Sequence, residues 1–470
     1  MPMFVNRDEE LRQLNAWWKR PGSHFGLVWG RRRVGKSLLL EEFSKELPTV
    51  FYTARGADRQ AELAELSRQS SGLVELPYRA LSSSPFRDWQ DALETLAAAS
   101  AAKQLLLIID EFPELRAVEP GIEGLLRAFW DRIVAGPRSG LRILLCGSAV
   151  RTMEDIQTAR APLYGRFDLK MQVRPFRPHE TALMLRHLKP PERARVWGIT
   201  GGVPAYLSWW DQSHSLRQNL KRLVCSPGGL LLEEGAALLE TEASGSGLTR
   251  PILYAVATGK NRFGEIQGSI QASQGQIARV LGNLEQLGLI ERQVPVTEDV
   301  RKSFGGRTSY VIADNFLAFW LGLVARFRSE VERGLGEGIL GAILQGFDEH
   351  MGARYEEAFR DHLRRLAAKG ELGEQVVAVG RFWRRAAADP AEIDAVVLAG
   401  RSREAVLAGE AKWTRTVNAH TIRRELERKA TLLPRRREPL LYAVCAREIV
   451  TQPQDVLAIT AKDIFWNQSP

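Results

Sequence analysis

The stretch Gly30-Arg31-Arg32-Arg33-Val34-Gly35-Lys36-Ser37 limits what this chain can fold into more than any other. It satisfies G-x-x-x-x-G-K-[ST] in full and stands between the apolar run Phe25-Gly26-Leu27-Val28-Trp29 and the helix-like Leu38-Leu39-Leu40-Glu41-Glu42-Phe43. That strand-loop-helix context is the one in which the motif has a mechanism. Triphosphate oxygens need many donors converging on one point, so Gly30 and Gly35 are read as the positions that let backbone N–H groups turn inward above a helix N-terminus. Arg31, Arg32, Arg33, Val34 and Leu38 belong to the same cradle. Lys36 is expected to reach the terminal phosphates as a point charge, and the Ser37 hydroxyl to complete a Mg²⁺ shell. ATP and Mg²⁺ are the ligands this stretch predicts.

A chain of 470 residues has room for about three domains, each with its own core. Its formal charge of +9 favours a polyanionic partner without separating DNA from RNA or from an anionic membrane surface. The apolar runs are short and the first residues lack an apolar signal segment, so a soluble, cytoplasmic protein with no membrane partner is expected. Cys146, Cys225 and Cys445 are far apart and form no C-x-x-C, which argues against both a disulfide framework and a thiolate zinc site.

Residues 1–175 alternate strand and helix patterns. Asn6 is read as the cap of a first helix whose apolar face carries Leu11, Leu14 and Trp18. The run Gln104-Leu105-Leu106-Leu107-Ile108-Ile109 reads as a strand covered on both faces, and it ends in two carboxylates, Asp110 and Glu111. In a parallel sheet that end lies beside the phosphate crevice, so Asp110 is expected to hold the Mg²⁺ shell and Glu111 to orient or deprotonate the attacking water. Another strand, Leu141 to Cys146, ends at Gly147-Ser148, where Ser148 is either a γ-phosphate sensor or a turn residue. Arg166, just before a strand at Leu169 to Val173, either stabilises transition-state charge in its own or a neighbour's site or makes a surface ion pair.

The order of these motifs resembles that of the archaeal-type ATPases, a branch of the STAND group within the AAA+ superclass. The matching residues are Phe4-Val5-Asn6-Arg7-Asp8-Glu9-Glu10-Leu11, the phosphate loop, Ile109-Asp110-Glu111-Phe112, Gly147-Ser148, Leu163-Tyr164-Gly165-Arg166 and Gly201-Gly202-Val203-Pro204-Ala205-Tyr206. The resemblance implies that Arg7 contacts the nucleotide and that residues 176–245 form a helical lid whose Gly201-Gly202-Val203-Pro204 turn lies near it. It also implies assembly into a homo-oligomer.

From Leu248 the pattern changes to three short helices, Leu248 to Thr258, Phe263 to Ile270 and Gln274 to Leu287, the last stopped by Gly288. Two alternating strands follow, Leu289 to Val294 and Thr308 to Ile312, joined by the basic Arg301-Lys302-Ser303-Phe304-Gly305-Gly306-Arg307. This is a winged helix-turn-helix pattern. It either presents Gln271, Ser273, Gln274 and Gln276 to a DNA groove, with Arg301, Lys302 and Arg307 on phosphates, or packs domains together.

Beyond the glycine-rich Gly334-Leu335-Gly336-Glu337-Gly338, read as a break, a long helix contains Glu356. Two apolar segments, Glu392 to Leu398 and Ala405 to Trp413, flank Gly400-Arg401-Ser402-Arg403 and should pair as an antiparallel hairpin. The side-chain period of two sets Glu410 and Lys412 on one face, where Asp394 can meet them from the neighbouring strand. Phosphodiester cleavage needs a divalent ion on hard oxygen ligands and a lysine to position or activate water. Asp394, Glu410, the Ala411 carbonyl and Glu356 are the candidate ligands for Mg²⁺ or Mn²⁺, and Lys412 is the candidate catalytic lysine; an ordinary surface ion pair is the other reading.

This arrangement resembles the PD-(D/E)XK nucleases, in particular the C-terminal domain of unknown function that accompanies archaeal-type ATPases. The motif's proline is absent, Glu392-Ile393 standing before Asp394. A helix from His420 to Leu433 would carry Arg423, Arg424, Arg428 and Lys429, which either track a phosphate backbone or form a solvated face. The expectation is an α/β multidomain protein. It comprises a P-loop AAA+/STAND ATPase core (1–175), a helical lid (176–245), a winged helix-turn-helix with a connecting helix (246–333) and an α/β restriction-endonuclease-like domain (334–470). The activity expected is nucleotide-regulated cleavage of DNA; the alternative is an NTP switch that binds DNA as a regulator and does not cut it.

Overall fold

The computed structural model describes residues 4–74, 80–101, 103–134, 139–241, 246–298, 308–373, 375–385 and 390–466. The chain divides into two compact units, Met1–Pro175 and Phe176–Pro470. The α/β multidomain reading holds, with a separate sheet in each unit.

The first unit is built on five parallel strands, β1 (His24–Trp29), β2 (Thr49–Thr53), β3 (Leu105–Asp110), β4 (Leu141–Gly147) and β5 (Leu169–Gln172), in the order β2-β3-β4-β1-β5. Every residue of β3 and β4 is buried, because helices cover both faces of the sheet. Alternation distributes the side chains: Leu107, Ile109, Ile143 and Leu145 enter one core, and Leu106, Ile108, Leu144 and Cys146 enter the other. Since β3, β4 and β1 are neighbours running the same way, the loops that leave their C-terminal ends meet at one edge of the sheet.

The first helix, Asp8–Trp18, differs from the reading in detail. Asn6 does not cap it; Arg7 holds the cap position in a left-handed conformation (φ 77°), with no side-chain cap bond. Trp17 rather than Trp18 is fully buried beside Leu14, and its Nε1 donates to Asp168 Oδ1 at 2.8 Å.

In the second unit the main hydrophobic core takes residues from Phe176 to Phe465, and two smaller clusters lie around Ile393 and Val444. Helices Thr249–Ala257, Phe263–Ser269 and Gln274–Gln286 are followed by the antiparallel pair β6 (Ile290–Gln293) and β7 (Ser309–Ile312). Gly288 stops the third helix with φ 66°, as a residue without a Cβ can. The basic segment with Arg301, Lys302 and Arg307 lies outside the described residues. A 33-residue helix, Gly336–Ala368, then precedes the second sheet.

That sheet is mixed. Strands β8 (Val376–Arg384), β9 (Ala391–Ala399) and β10 (Glu404–Lys412) are antiparallel neighbours, as the hairpin reading expects. A short β11 (Thr416–Asn418) and helix Ala419–Ala430 carry the chain to β12 (Arg436–Ala446), parallel to β10. After β13 (Ile449–Thr451), which pairs with β11, the chain ends the sheet at β14 (Leu457–Thr460). The order is β14-β12-β10-β9-β8. Gly409 lets the long helix approach β10: a Cβ there would stand 2.8 Å from the Phe359 ring.

The glycine-rich passage Gly334–Gly338 is a tight contact within this unit. A Cβ on Gly336 would fall 1.7 Å from the Cys225 carbonyl oxygen, whereas one on Gly338 would meet nothing within 4 Å. Gly336→Ala is therefore expected to lower stability by about 1–3 kcal/mol, as overpacking does. Gly338→Ala, inside the helix and unobstructed, is expected to be neutral or to gain about 0.5–1 kcal/mol. Chemical denaturation of the two variants checks this, and equal effects would contradict it.

Candidate functional site

The phosphate loop sits at the C-terminal end of β1 and enters helix Lys36–Ser44. Arg33 and Gly35 have φ 68° and 88°, and a Cβ on Gly30 would stand 2.2 Å from the Val173 carbonyl oxygen, so the first glycine is required by close approach as well as by turning. The Ser37 hydroxyl donates to Asp110 Oδ2 at 2.7 Å, and the Glu111 amide donates to Asp110 Oδ1 at 3.0 Å. Glu111 itself is left-handed (φ 50°) at the start of helix Phe112–Val118. Its Oε2 accepts from the Ser148 hydroxyl at 2.8 Å and from the Ser148 amide at 3.3 Å.

Ser37, Asp110, Glu111 and Ser148 are thus joined in one hydrogen-bonded chain across the ends of β1, β3 and β4. The buried Lys36 ammonium donates to the Arg31 carbonyl at 3.1 Å. Burial lowers its pKa, opposed by Cys146, Glu111 and Asp110. A cleft of about 390 Å³ is lined here by Arg32, Arg33, Gly35, Lys36, Ser37, Leu38, Glu111 and Glu114. A hydroxyl beside a buried carboxylate is the hard-oxygen pair a Mg²⁺ shell uses, so Ser37 and Asp110 suit that ion.

Arg7 and Arg166 stand differently. Arg7 is buried and its guanidinium donates to the Val34 carbonyl at 2.9 Å, to the Arg174 carbonyl at 2.8 Å and to Glu10 at 2.8 Å. It fastens the phosphate loop to the strand-end segment Val173–Arg174. Arg166 forms a fork with Asp131, at 2.9 and 2.8 Å, and also bonds the carbonyls of Pro162 and Tyr164. No bond joins Arg166 to the loop among the described residues.

Arg7→Ala would leave buried carbonyls without a donor, at a cost of about 1–3 kcal/mol, and would weaken nucleotide binding by loosening the loop. Arg166→Ala is expected to leave the melting midpoint unchanged. Thermal denaturation with and without nucleotide checks both.

In the second unit Asp394 and Glu410 lie on the neighbouring strands β9 and β10, exposed by only 6% and 4%. Asp394 Oδ2 accepts from the Ala411 amide at 2.9 Å. Lys412 Nζ donates to Glu410 Oε1 at 2.6 Å, and Lys429 Nζ donates to Glu410 Oε2 at 3.1 Å. Asp394 is pushed up to about 8, first by burial and then by the charges of Glu356 and Glu410, against the pull of Ala411 and Lys412. Burial also raises Glu356, opposed by Arg381 and Arg360. For Lys412, burial works against the charged form, but the bond to Glu410 and the nearby carboxylates outweigh it and raise the pKa.

The candidate ligand set is only partly assembled. Glu356 faces Arg360 at 3.8 Å and Arg381 at 3.9 Å. Among the described residues no group of three or more His, Cys, Asp and Glu side chains is gathered so as to hold a metal ion. Asp394, Glu410 and the Ala411 carbonyl are the hard oxygens that fit a divalent ion in type; Glu356 is drawn off by its arginines.

Three contributors were not read from sequence. Lys429, placed there with the outward basic residues, is exposed by only 8% and turned to Glu410. Its position beside Leu426 and Ala430, both fully buried, is a helical-face signal that could have found it. Arg360, whose guanidinium donates to the Asp394 carbonyl at 2.9 Å, and Arg381, paired with Glu392, carry no such signal.

Residues 4–209 match the family model described as an ATPase domain predominantly from Archaea. Residues 320–424 match the model described as archaeal and bacterial proteins of unknown function. An uncharacterized protein of Methanocaldococcus jannaschii is 28% identical over 462 residues, 95% of this chain and 96% of its own length. An uncharacterized ATP-binding protein of the same organism is 46% identical over 41 residues, 9% of this chain and 70% of its own length. Among solved structures, a Walker-type ATPase of Pyrococcus abyssi superposes with a TM-score of 0.52 at 22% identity, over 68% of this chain and 96% of that one. The chain therefore carries an archaeal-type P-loop ATPase domain, joined to a C-terminal domain shared with archaeal and bacterial proteins of unknown function.

Proposed function

We propose that this ATPase is a nucleotide-governed nuclease, in which ATP hydrolysis in the first unit controls divalent-metal-dependent cleavage of DNA in the second. The observation that carries the reading is the burial of Asp394 and Glu410 on adjacent strands with Lys412 bonded to Glu410. Holding two carboxylates away from water is costly unless a cation or a ligand recovers it.

In the first unit, Lys36 exchanges the Arg31 carbonyl for the terminal phosphates of ATP. Glu111, released from Ser148, orients the attacking water or takes its proton. Ser37 and Asp110 would hold Mg²⁺, which would supply neutralisation of the phosphate charge. Ser148 then has a second use: it holds Glu111 away from water until nucleotide is in place.

In the second unit, Asp394, Glu410 and the Ala411 carbonyl would hold a divalent ion, which would supply Lewis-acid stabilisation of the scissile phosphate. Lys412 donates from Nζ to the attacking water or to a phosphate oxygen. Arg360, through the Asp394 carbonyl, fixes the strand that carries the first ligand. The helices before β6, with β6 and β7, form a winged module that holds the DNA, and the described end of its third helix offers Ser273, Gln274 and Gln276.

A second reading is favoured by a specific feature: Glu410 already has two ammonium partners and Glu356 two arginines. Such compensation suits a domain that binds DNA as a regulator and does not cut it.

The test is cleavage of labelled linear, forked and single-stranded DNA with Mg²⁺ or Mn²⁺, comparing no nucleotide, ATP and ADP. Lys36→Ala is expected to lower ATP hydrolysis at least 100-fold, the scale of a lost transition-state charge contact, and to change the nucleotide dependence of cutting. Asp394→Ala is expected to abolish cutting while sparing ATP hydrolysis. DNA that is bound but never cut, under every condition, would replace this reading with the regulatory one.

A further inference from the structure

A groove of about 420 Å³ opens in the second unit where β8 and the start of β9 face Asn261, Arg262 and Ser309. Four arginines line it, Arg262, Arg381, Arg384 and Arg385, against one carboxylate, Glu392. The Trp383 indole lies among them, its Nε1 buried with no hydrogen-bond partner among the described residues. The Arg385 guanidinium stands 5.7 Å from the centre of that ring.

The charges here are unevenly matched. Arg381 is committed to Glu392 and lies 3.9 Å from Glu356, and Arg262 meets Glu265 at 3.4 Å. Arg385 reaches the Thr308 carbonyl at 3.4 Å, and Arg384 is exposed with no ion pair among the described residues. Burial and the neighbouring Arg262 charge lower the pKa of Arg385, with Glu265 and Glu392 opposing. Among the described residues Arg381 and Arg262 are paired with carboxylates while Arg384 is exposed and has no ion pair, which leaves its charge available to an anionic ligand.

The groove also has a direction. In the β8–β9 register Trp383 pairs with Glu392 and Arg384 with Ala391. Glu392 and Asp394 lie two residues apart on β9, where the pairing with β8 is irregular between Ile393 and Val396. Arg381 lines the groove and reaches Glu356 at its far side. One end of the groove therefore abuts the buried carboxylates.

A duplex keeps its bases stacked inward and would offer the indole only its backbone. An unpaired strand presents phosphates and an open base face together, and arginines interleaved with an indole answer both. We propose that this groove binds an unpaired nucleic-acid strand, its phosphates on Arg262, Arg384 and Arg385 and a base against Trp383, and leads it to Asp394 and Glu410. The destination rests on the reading of those carboxylates as a cleavage site; the binding does not.

The experiment is fluorescence anisotropy on the full chain carrying Asp394→Asn, so that cutting cannot interfere, with labelled oligothymidylate, oligouridylate and a blunt duplex of equal length. The unpaired strands are expected to bind more tightly than the duplex, whichever sugar they carry. Arg384→Glu and Arg262→Glu, both at exposed side chains, are expected to weaken strand binding about tenfold and to reduce the salt slope by roughly one per variant. Their ATP hydrolysis, read in the same preparations, should match the parent and shows that the fold is intact. Unchanged strand binding in both variants, or tighter binding of the duplex, overturns the groove. Strand binding that depends on Arg384, in a wild-type chain that never cuts, keeps the groove and removes the cleavage reading.

Discussion

Asp110, Asp394 and Glu410 are exposed by 3%, 6% and 4%, and a carboxylate so far from water has to be met by donors or by a cation. Asp110 is met by the Ser37 hydroxyl and the Glu111 amide. Asp394 is met by the Ala411 amide, and Glu410 by two lysines. The surrounding segments follow from satisfying these groups. The phosphate loop is tied to the end of β3, and β9 to β10. Lys429 on helix Ala419–Ala430 is tied back to β10.

Sheet topology brings the partners within reach. In the first unit the order β3-β4-β1 aligns three strand ends, so residues more than seventy positions apart share one hydrogen-bonded chain. In the second, an antiparallel hairpin does the same over a shorter span, and the long helix closes the other side, with Phe359 seated over Gly409. Glycines hold close approaches in both units. Gly30 lies against the Val173 carbonyl and Gly336 against the Cys225 carbonyl, positions at which any side chain would have to displace backbone.

The parts legible in the sequence were those set by local chemistry. The motif at Gly30–Ser37, the apolar run into Asp110, the three short helices after Leu248 and the hairpin around Gly400 each carry their own signal of period, turn or cap. Less legible were side chains whose partners come from distant segments. Arg7 was expected near the nucleotide through the family resemblance alone, and nothing local in the sequence pointed to its bonds with the Val34 and Arg174 carbonyls and with Glu10. Lys429 read as part of an outward charge run, because a run of basic residues does not show which member faces Glu410. The passage at Gly334–Gly338 read as a break because composition cannot separate a loose linker from a helix start packed against a carbonyl.

The central claim, that Asp394 and Glu410 form a divalent-metal site, is tested most directly by Mn²⁺ binding followed by electron paramagnetic resonance. The full chain would carry Asp110→Asn beside Lys36→Ala and be kept free of nucleotide, so that the phosphate loop and its neighbouring carboxylate contribute no site. The account predicts bound Mn²⁺ that is lost in Asp394→Asn and in Glu410→Gln. Absence of bound Mn²⁺, or binding that survives both substitutions, would contradict it.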